Sequence, residues 1–242
     1  MKKIVDNASV NDGLMAESCV EGVMGRLLGC LDVEDRQLLL SSLEIHRARK
    51  HEEIYVEGDV AQFMYCVIEG NLGVIHGIGS SQERMLTVLR RGEFFGYRDY
   101  LANHNRSAKV VSVNEAVLYR IPNSVMLSVM EHNQKLTMML LSDLAVCTRA
   151  AELRYLNMSK KHLRGRLADT LLYLLERIGD SNDGQPRLTG LKREDLAQMS
   201  DMTVANAIRT LSSFVKEGIV TVDGRTVCFH DIHQLERISM VE

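Results

Sequence analysis

LKREDLAQMSDMTVANAIRTLSSFVKEGIVTVDGRTVCF, residues 191–229, is the stretch from which the rest of the chain is best read. LKREDLAQM has the apolar spacing of one short helix, SDM that of a turn, and TVANAIRTLSSFVKEG that of a second helix stopped by Gly218. IVTV and RTVCF then flank the pair Asp223-Gly224, a two-residue signal for a tight β-hairpin. Helix, turn, helix, hairpin is the order of a winged helix-turn-helix. In that arrangement Ala197 is small enough for the two helices to approach, and Leu196, Ala207, Ile208 and Leu211 are expected to fill the space between and beneath them. Thr203 stands where its hydroxyl caps the second helix or meets a DNA phosphate. With the first turn of that helix in a major groove, Val204, Ala205 and Arg209 face base edges and Asn206 lies near the backbone. Arg209 suits the O6 and N7 acceptors of a guanine. The same spacing also serves a small helical domain that binds protein, so the pattern alone leaves both readings open.

Upstream, LRGRLADTLLYLLERIG is amphipathic and stops at Gly179, and SNDGQP reads as a loop. Before it, Thr137, Leu140, Leu144, Cys147, Ala151, Arg154 and Met158 recur at steps of three and four along a predicted helix over 133–158. Such a seam packs on a second copy or on the chain's own core. Leu140, Leu144, Cys147, Ala151 and Met158 are the candidate dimerisation residues. Earlier still, Gly58, Gly70, Gly73, Gly77, Gly79, Gly92 and Gly96 separate short runs such as EEIYV, FMYCVI, GVIHG and MLTVL, with VVSV and AVLYRI following. Short strands joined by tight turns predict a jelly-roll β-barrel. The expected fold class is therefore α+β. A β-roll with flanking helices spans 1–132, a long connecting helix 133–158 and a winged helix-turn-helix 159–242.

Composition excludes several classes. With 45% hydrophobic residues in 242, the chain can bury proper cores. The N-terminal lysines precede no apolar stretch, and no run approaches the roughly 18 apolar residues of a membrane span; the expectation is a cytoplasmic protein without membrane contact. Five scattered cysteines, Cys19, Cys30, Cys66, Cys147 and Cys228, without a CxxC pair, point to neither a disulfide framework nor a zinc site. The part after Met158 carries 12 basic and 12 acidic residues, so DNA affinity there depends on where the charges sit. SKKHLRGR concentrates Lys160, Lys161, Arg164 and Arg166, as a solvated helix start or as part of a basic surface. No nucleophile–base pair, metal-ligand spacing or phosphate loop is present, and no enzyme is expected.

The chain resembles the Crp/Fnr family of bacterial transcription regulators. The matches are EGD (Glu57–Asp59), YCVIEGNLGV (Tyr65–Val74), RRGEFFG (Arg90–Gly96), RSA (Arg106–Ala108), GRLADTLL (Gly165–Leu172) and REDLAQMSDMTVANAIRTL, in order between about Leu31 and Phe229. The resemblance implies a cyclic-nucleotide-binding-like roll, a dimerisation helix and a DNA-binding winged helix. It further implies a homodimer on an inverted-repeat operator of double-stranded DNA, with RNA polymerase and a small-molecule effector as partners. A ligand or redox event in the roll would bias the arrangement of the two domains.

Departures from the family pattern bear on the effector and the operator. In cAMP-responsive members a glutamate after the FG pair holds the ribose and an Arg-Ser pair the cyclic phosphate. Here Gly96 is followed by Tyr97, the loop is one residue shorter, and Arg106 and Ser107 keep the pair. The two adenine-contacting hydroxyl positions, counted back without gaps from Gly165, fall on Ala151 and Glu152. The resemblance thus argues against cAMP, and Arg106 is left for another anion or for a local acid. Iron–sulfur members need closely spaced N-terminal cysteines, which Cys19 and Cys30 do not supply, so a cluster is not expected. His76, His104 and Met64 are the residues available as haem ligands, although surface and turn positions are the commoner place for such histidines. Cys147 is a candidate for thiol oxidation or simply a buried small hydrophobe.

On the recognition helix, the family pairs a glutamate with an arginine four residues later. Arg209 is kept, but Ala205 removes the acceptor for a cytosine amino group, and a thymine methyl against Ala205 or Val204 is expected instead. Lys192 replaces the usual Ser or Thr cap of the preceding helix, which predicts a weaker helix start or a direct phosphate contact. An effector-binding or protein-interaction module without specific DNA binding is the alternative, supported by the neutral charge and Ala205.

Overall fold

In the computed structural model, which describes residues 17–77, 84–180 and 184–242, the run FMYCVIE forms a strand buried on both faces. Around it, helices α1 (Glu17–Leu28) and α2 (Val33–Ser41) precede strands β1 (Glu44–Ala48), β2 (Glu53–Tyr55), β3 (Phe63–Glu69), β4 (Leu72–His76), β5 (Arg84–Leu89) and β6 (Phe94–Phe95). A one-turn helix α3 (Arg98–Leu101) leads to β7 (Lys109–Ser112) and β8 (Ala116–Pro122). Two antiparallel four-stranded sheets result, ordered β1-β8-β3-β6 and β2-β7-β4-β5. Period-two alternation explains the burial of β3. Tyr65 and Val67 point between the sheets, where they meet Leu72, Leu89, Val110 and Leu118. Met64, Cys66 and Ile68 point the other way and join Met24, Leu27, Leu39 and Leu136 under the helices. The β3–β4 turn depends on Gly70, whose φ is +81° and where an added Cβ would stand 2.3 Å from the Glu115 carbonyl oxygen.

Helix α4 (Asn123–Met130) leads into the long helix α5 (Gln134–Lys160), capped by Asn133, whose Oδ1 accepts from the Leu136 N–H at 3.0 Å. The winged helix follows as α6 (Leu163–Ile178), β9 (Arg187–Leu188), α7 (Arg193–Met199), α8 (Val204–Lys216), β10 (Val220–Asp223), β11 (Thr226–Phe229) and α9 (Ile232–Val241). Two of these elements lie outside the sequence expectation. β9 pairs with β11 as a third strand of the wing, and α9 buries Leu235 and Ile238 in the winged-helix core beside α6. The hairpin turn also sits one residue later than the Asp223-Gly224 pair predicts. Asp223 is the register partner of Thr226, so Gly224 (φ +53°) and Arg225 form the two-residue loop. Glycine in the first central position is what a type II′ turn requires.

The winged helix packs against the outer face of the second sheet. Met85, Val88 and Val113 belong to the same buried cluster as Leu171, Leu174, Leu196 and Phe214. Polar contacts ring that apolar centre. The Met85 N–H donates to Gln198 Oε1 (3.1 Å), the Thr87 and Tyr173 hydroxyls meet at 2.6 Å, and Arg177 donates to the Val88 carbonyl (2.9 Å) and to Glu93 (2.7 Å). Arg84 forms an ion pair with Asp201 at 2.8 Å, which attaches the helix-turn-helix turn itself to β5.

Candidate nucleic-acid interface and effector site

The turn between α7 and α8 is held from several sides. Asp201 takes φ +49°, a left-handed conformation that Asp tolerates better than most residues. The Met202 N–H donates to the Ala197 carbonyl (3.0 Å), and Arg166 donates to the Asp201 carbonyl (2.9 Å). Thr203 then caps α8, its hydroxyl accepting from the Asn206 N–H at 3.2 Å. Ala197, Leu196, Ala207, Leu211 and Phe214 are buried where the two helices and α6 meet. Ile208 is not. It is 46% exposed, because a helical step of about 100° per residue places it four after Val204 and three after Ala205, on the outward face.

The outward face of α8 therefore carries Val204, Ala205, Ile208, Arg209 and Ser212, with Asn206 half-buried at its edge. Arg209 is exposed and, among the described residues, meets no hydrogen-bonding or ionic partner. Lys192 and Arg225, exposed at the N-terminus of α7 and at the wing tip, line a hollow between the winged helix and the roll together with His51, Glu53 and Lys109. Lys192 supplies no side-chain cap. Instead the Asp195 carboxylate accepts from the Lys192 N–H at 2.7 Å, so the helix start is stabilised from its third residue. That acidic third position was the available sequence signal.

Arg164 fixes the far end of α8. Its guanidinium donates twice to the Glu217 carboxylate (2.8 and 2.9 Å) and once to Ser213 (2.8 Å). The Arg164 hydrogen bonds, with that of Ser213, hold the Glu217 carboxyl down at about 2, against an ordinary value of 4.5. A depressed carboxylate contributes stability that is present above its unfolded pKa and lost as pH falls toward the folded one. Thermal melts should therefore show a steeper loss of Tm between pH 4.5 and 2 in the wild type than in Glu217→Gln. Glu217 is 38% exposed, so the difference will be modest and will shrink in high salt.

In the roll, the residues expected to meet an effector have other partners. The Arg106 side chain is 1% exposed. Its Nη2 donates to the Phe63 carbonyl at 2.6 Å, its Nη1 to the Gly96 carbonyl, and its guanidinium lies 4.2 Å from the Tyr55 ring centroid. Asp99 stands 4.0 Å from Nη1 and accepts from the Ser107 hydroxyl at 2.7 Å. Tyr65 and Phe95 stack at 5.0 Å, with Tyr55 tilted against both. Gly96 (φ +85°) has no room for a side chain, as a Cβ would lie 2.8 Å from the Phe63 carbonyl oxygen. Tyr97 turns away into the helix-covered core, where burial pushes its phenol pKa up. Ala151 and Glu152 are exposed on α5.

In this structure the chain's own acceptors occupy the pair that the resemblance assigns to a cyclic phosphate. Each terminal nitrogen of Arg106 gives one hydrogen bond to a main-chain carbonyl and Asp99 accepts from Ser107, while the buried Arg106 Nε has no partner among the described residues. Removing the arginine would take the side-chain donor from the Phe63 carbonyl, worth about 1–3 kcal/mol, and leave the Gly96 carbonyl only its 3.4 Å bond from Asn123. Arg106→Leu is accordingly expected to lower Tm by several degrees, while added cAMP leaves the wild-type Tm unchanged. A ligand-dependent rise in Tm with cAMP would refute this assignment.

Of the residues available as haem ligands, His76 is half-buried at the end of β4. Met64 is fully buried among the core side chains, and His104 is exposed beside a surface hollow near Tyr100 and Asn103. Cysteines 19, 30, 147 and 228 are half-buried and Cys66 is buried, its thiol pushed up to about 12 by burial. Among the described residues no group of three His, Cys, Asp or Glu is placed to hold a metal ion. No helix among them is long and apolar enough to cross a membrane.

On the long helix, the structure places Leu140 inside the roll's core (1% exposed), with Leu144 packed against that core and Cys147 half-buried. Arg154 turns toward the winged helix, its guanidinium 4.7 Å from the Tyr173 ring centroid. Ala151 is exposed, and the Met158 side chain lies outside the described residues. The large apolar side chains that α5 leaves most open to solvent are Met138, Leu141, Val146, Leu153, Tyr155 and Leu156.

The two halves match known family models in the order the fold requires. Residues 45–133 match the cyclic nucleotide-binding domain and residues 165–238 the Crp-like helix-turn-helix domain. The class of protein is thus a cyclic-nucleotide-binding-type roll joined to a DNA-binding winged helix. The chain is 27% identical over 206 residues to the cyclic AMP receptor protein of Thermus thermophilus, covering 85% of this chain and 93% of that one. It is 22% identical over 185 residues to the CRP-like cAMP-activated global transcriptional regulator of Mycobacterium tuberculosis, covering 76% and 83%. The solved structure of FixK2 from Bradyrhizobium japonicum shares the fold with a TM-score of 0.72 at 20% identity, over 81% of this chain and 96% of that one. The chain belongs to the Crp/Fnr family of bacterial transcription regulators.

Proposed function

We propose that this regulator acts as a homodimer on an inverted-repeat operator, with its two α8 helices in successive major grooves about one helical turn apart. The observation that carries the reading is the outward face of α8, where Arg209 is exposed and unengaged between a capped helix start and a braced helix end. Val204, Ala205 and Ile208 add apolar surface suited to thymine methyls, and Arg209 suits a guanine. Lys192, at the start of the preceding helix, is the proposed phosphate contact. The exposed apolar side chains of α5 supply the dimer seam, and RNA polymerase is the partner that converts operator occupancy into transcription.

DNA retention measured against salt tests this reading. Phosphate neutralisation at several positions gives a steep fall of log K with log salt, of order −0.9 per phosphate contacted. A flat salt dependence, with retention by any polyanion, would instead favour a protein-interaction module.

A further inference from the structure

With the terminal nitrogens of the roll's Arg106 on main-chain carbonyls, a second place is left where a small effector can enter. A cavity of about 230 Å³ opens at the hinge, between the C-terminal half of α5, α6 and the end of α7. It is lined by Arg154 and Asn157 from α5, by Arg166, Thr170 and Tyr173 from α6, and by Met199 from α7. The floor formed by the Tyr173 ring and Met199 is apolar, and the rim is cationic.

Several donors around the cavity are left over by the fold. Arg154 stacks on Tyr173 and has no carboxylate partner among the described residues. Arg166 uses its Nη1 on the turn, but its buried Nε has no hydrogen-bond partner. Such orphaned donors are uncommon in native proteins and call for an acceptor. Thr170, itself buried, accepts from Ser200 at 2.9 Å and keeps its own hydroxyl proton to give. Asp169, the acid on the wall, is already neutralised by Lys161 at 2.6 Å and accepts from Ser239. Arg166 shares the Asp201 carboxylate (3.5 Å) with Arg84, which holds it more closely at 2.8 Å, so Arg166 is only partly balanced and Arg154 has no acid at all among the described residues.

We propose that this hinge cavity binds a small, flat organic monoanion, a carboxylate on a ring-sized apolar body, with Arg154 and Arg166 taking the carboxylate and Tyr173 and Met199 the ring. The volume lies below the roughly 300–1,000 Å³ of drug-sized sites, which limits the occupant to about one ring. A planar guanidinium with free N–H groups matches a carboxylate through paired hydrogen bonds. Such an occupant joins α5 to α6 across the Lys161–His162 junction and touches the arginine that braces the recognition turn. Its affinity depends on the angle between those helices, so it biases where the winged helix stands. The regulatory consequence rests on the DNA-binding function proposed above; the binding itself does not.

Benzoate and its neutral isostere benzamide, titrated into the full chain by calorimetry, test the site. Benzoate is expected to bind saturably, with benzamide weaker by about tenfold or more for loss of the charged hydrogen bonds. Arg154→Met keeps the stem packed on Tyr173 and should lower benzoate affinity by a similar factor with unchanged Tm. No saturable benzoate binding, equal binding of the two compounds, or unaltered benzoate affinity in Arg154→Met overturns the proposal. DNA retention without benzoate, run on the same samples, reports separately on the regulator reading. Retention with no benzoate binding sinks the cavity alone, and benzoate binding with no retention sinks the regulator reading alone.

Discussion

Val146→Glu, combined with Leu153→Glu, is expected to turn the protein into a monomer at concentrations where the wild type is dimeric, and to abolish stable operator binding. Both residues are more than half exposed in the protomer (64% and 51%), and seven residues apart they lie about 20° from each other around α5, well away from the direction of Leu140. In a twofold pairing each substitution appears twice, so four carboxylates enter one helix–helix seam. Burying such groups without partners costs about 2 kcal/mol or more apiece, and even half that total shifts the dimer equilibrium by several orders of magnitude. Sedimentation equilibrium reads the mass directly. Leu140→Ala provides the contrast. Leu140 is 1% exposed within the roll's own core, so the change should cost about 2–5 kcal/mol of stability and leave the dimer constant alone. A dimer that survives the double glutamate variant and dissociates in Leu140→Ala would move the seam to the opposite face.

This pair of variants also shows where sequence reading stops. Steps of three and four along α5 correctly announce a helix with an apolar stripe, and the helix runs Gln134–Lys160. The stripe does not say what covers it. Leu140 and Leu144 satisfy the same spacing whether a roll or a second copy lies against them, and only the placement of α1, β3 and β8 shows the roll there. Ile208 fails for the opposite reason. An isoleucine is assigned to a core by its hydrophobicity, yet the angular position fixed by Ala207, Leu211 and Phe214 turns it outward. The strands were legible because glycines such as Gly70 and Gly96 mark positive-φ turns that few other residues tolerate. Arg106 and Ser107 were legible as a pair, but their acceptors are main-chain carbonyls of Phe63 and Gly96 and the carboxylate of Asp99. Backbone acceptors carry no sequence signature. The contacts between Arg177 and Glu93, or Arg84 and Asp201, span residues too distant in the chain for any local pattern to pair them.

Arg209→Ala is expected to erase the preference for guanine at one position of each half-site while leaving salt-sensitive binding to DNA in general. The side chain is exposed, contributes nothing to the winged-helix core and has no internal partner to lose, so the variant should melt as the wild type does. Loss of a paired contact to guanine O6 and N7 is worth about 1–3 kcal/mol per half-site, and a symmetric dimer loses it twice. Selection from random DNA should then return wild-type sites with a fixed guanine and variant sites without one, at equal salt. Ile208→Ala refines the same experiment, because its exposed methyl groups meet thymine rather than a hydrogen-bonding edge and its loss should relax a different position. The two substitutions lie one residue apart, about 100° around the helix, so each reports on its own base pair only if α8 enters the groove by the edge that Thr203 caps. Identical selected sites for wild type and Arg209→Ala would mean that another surface reads the operator.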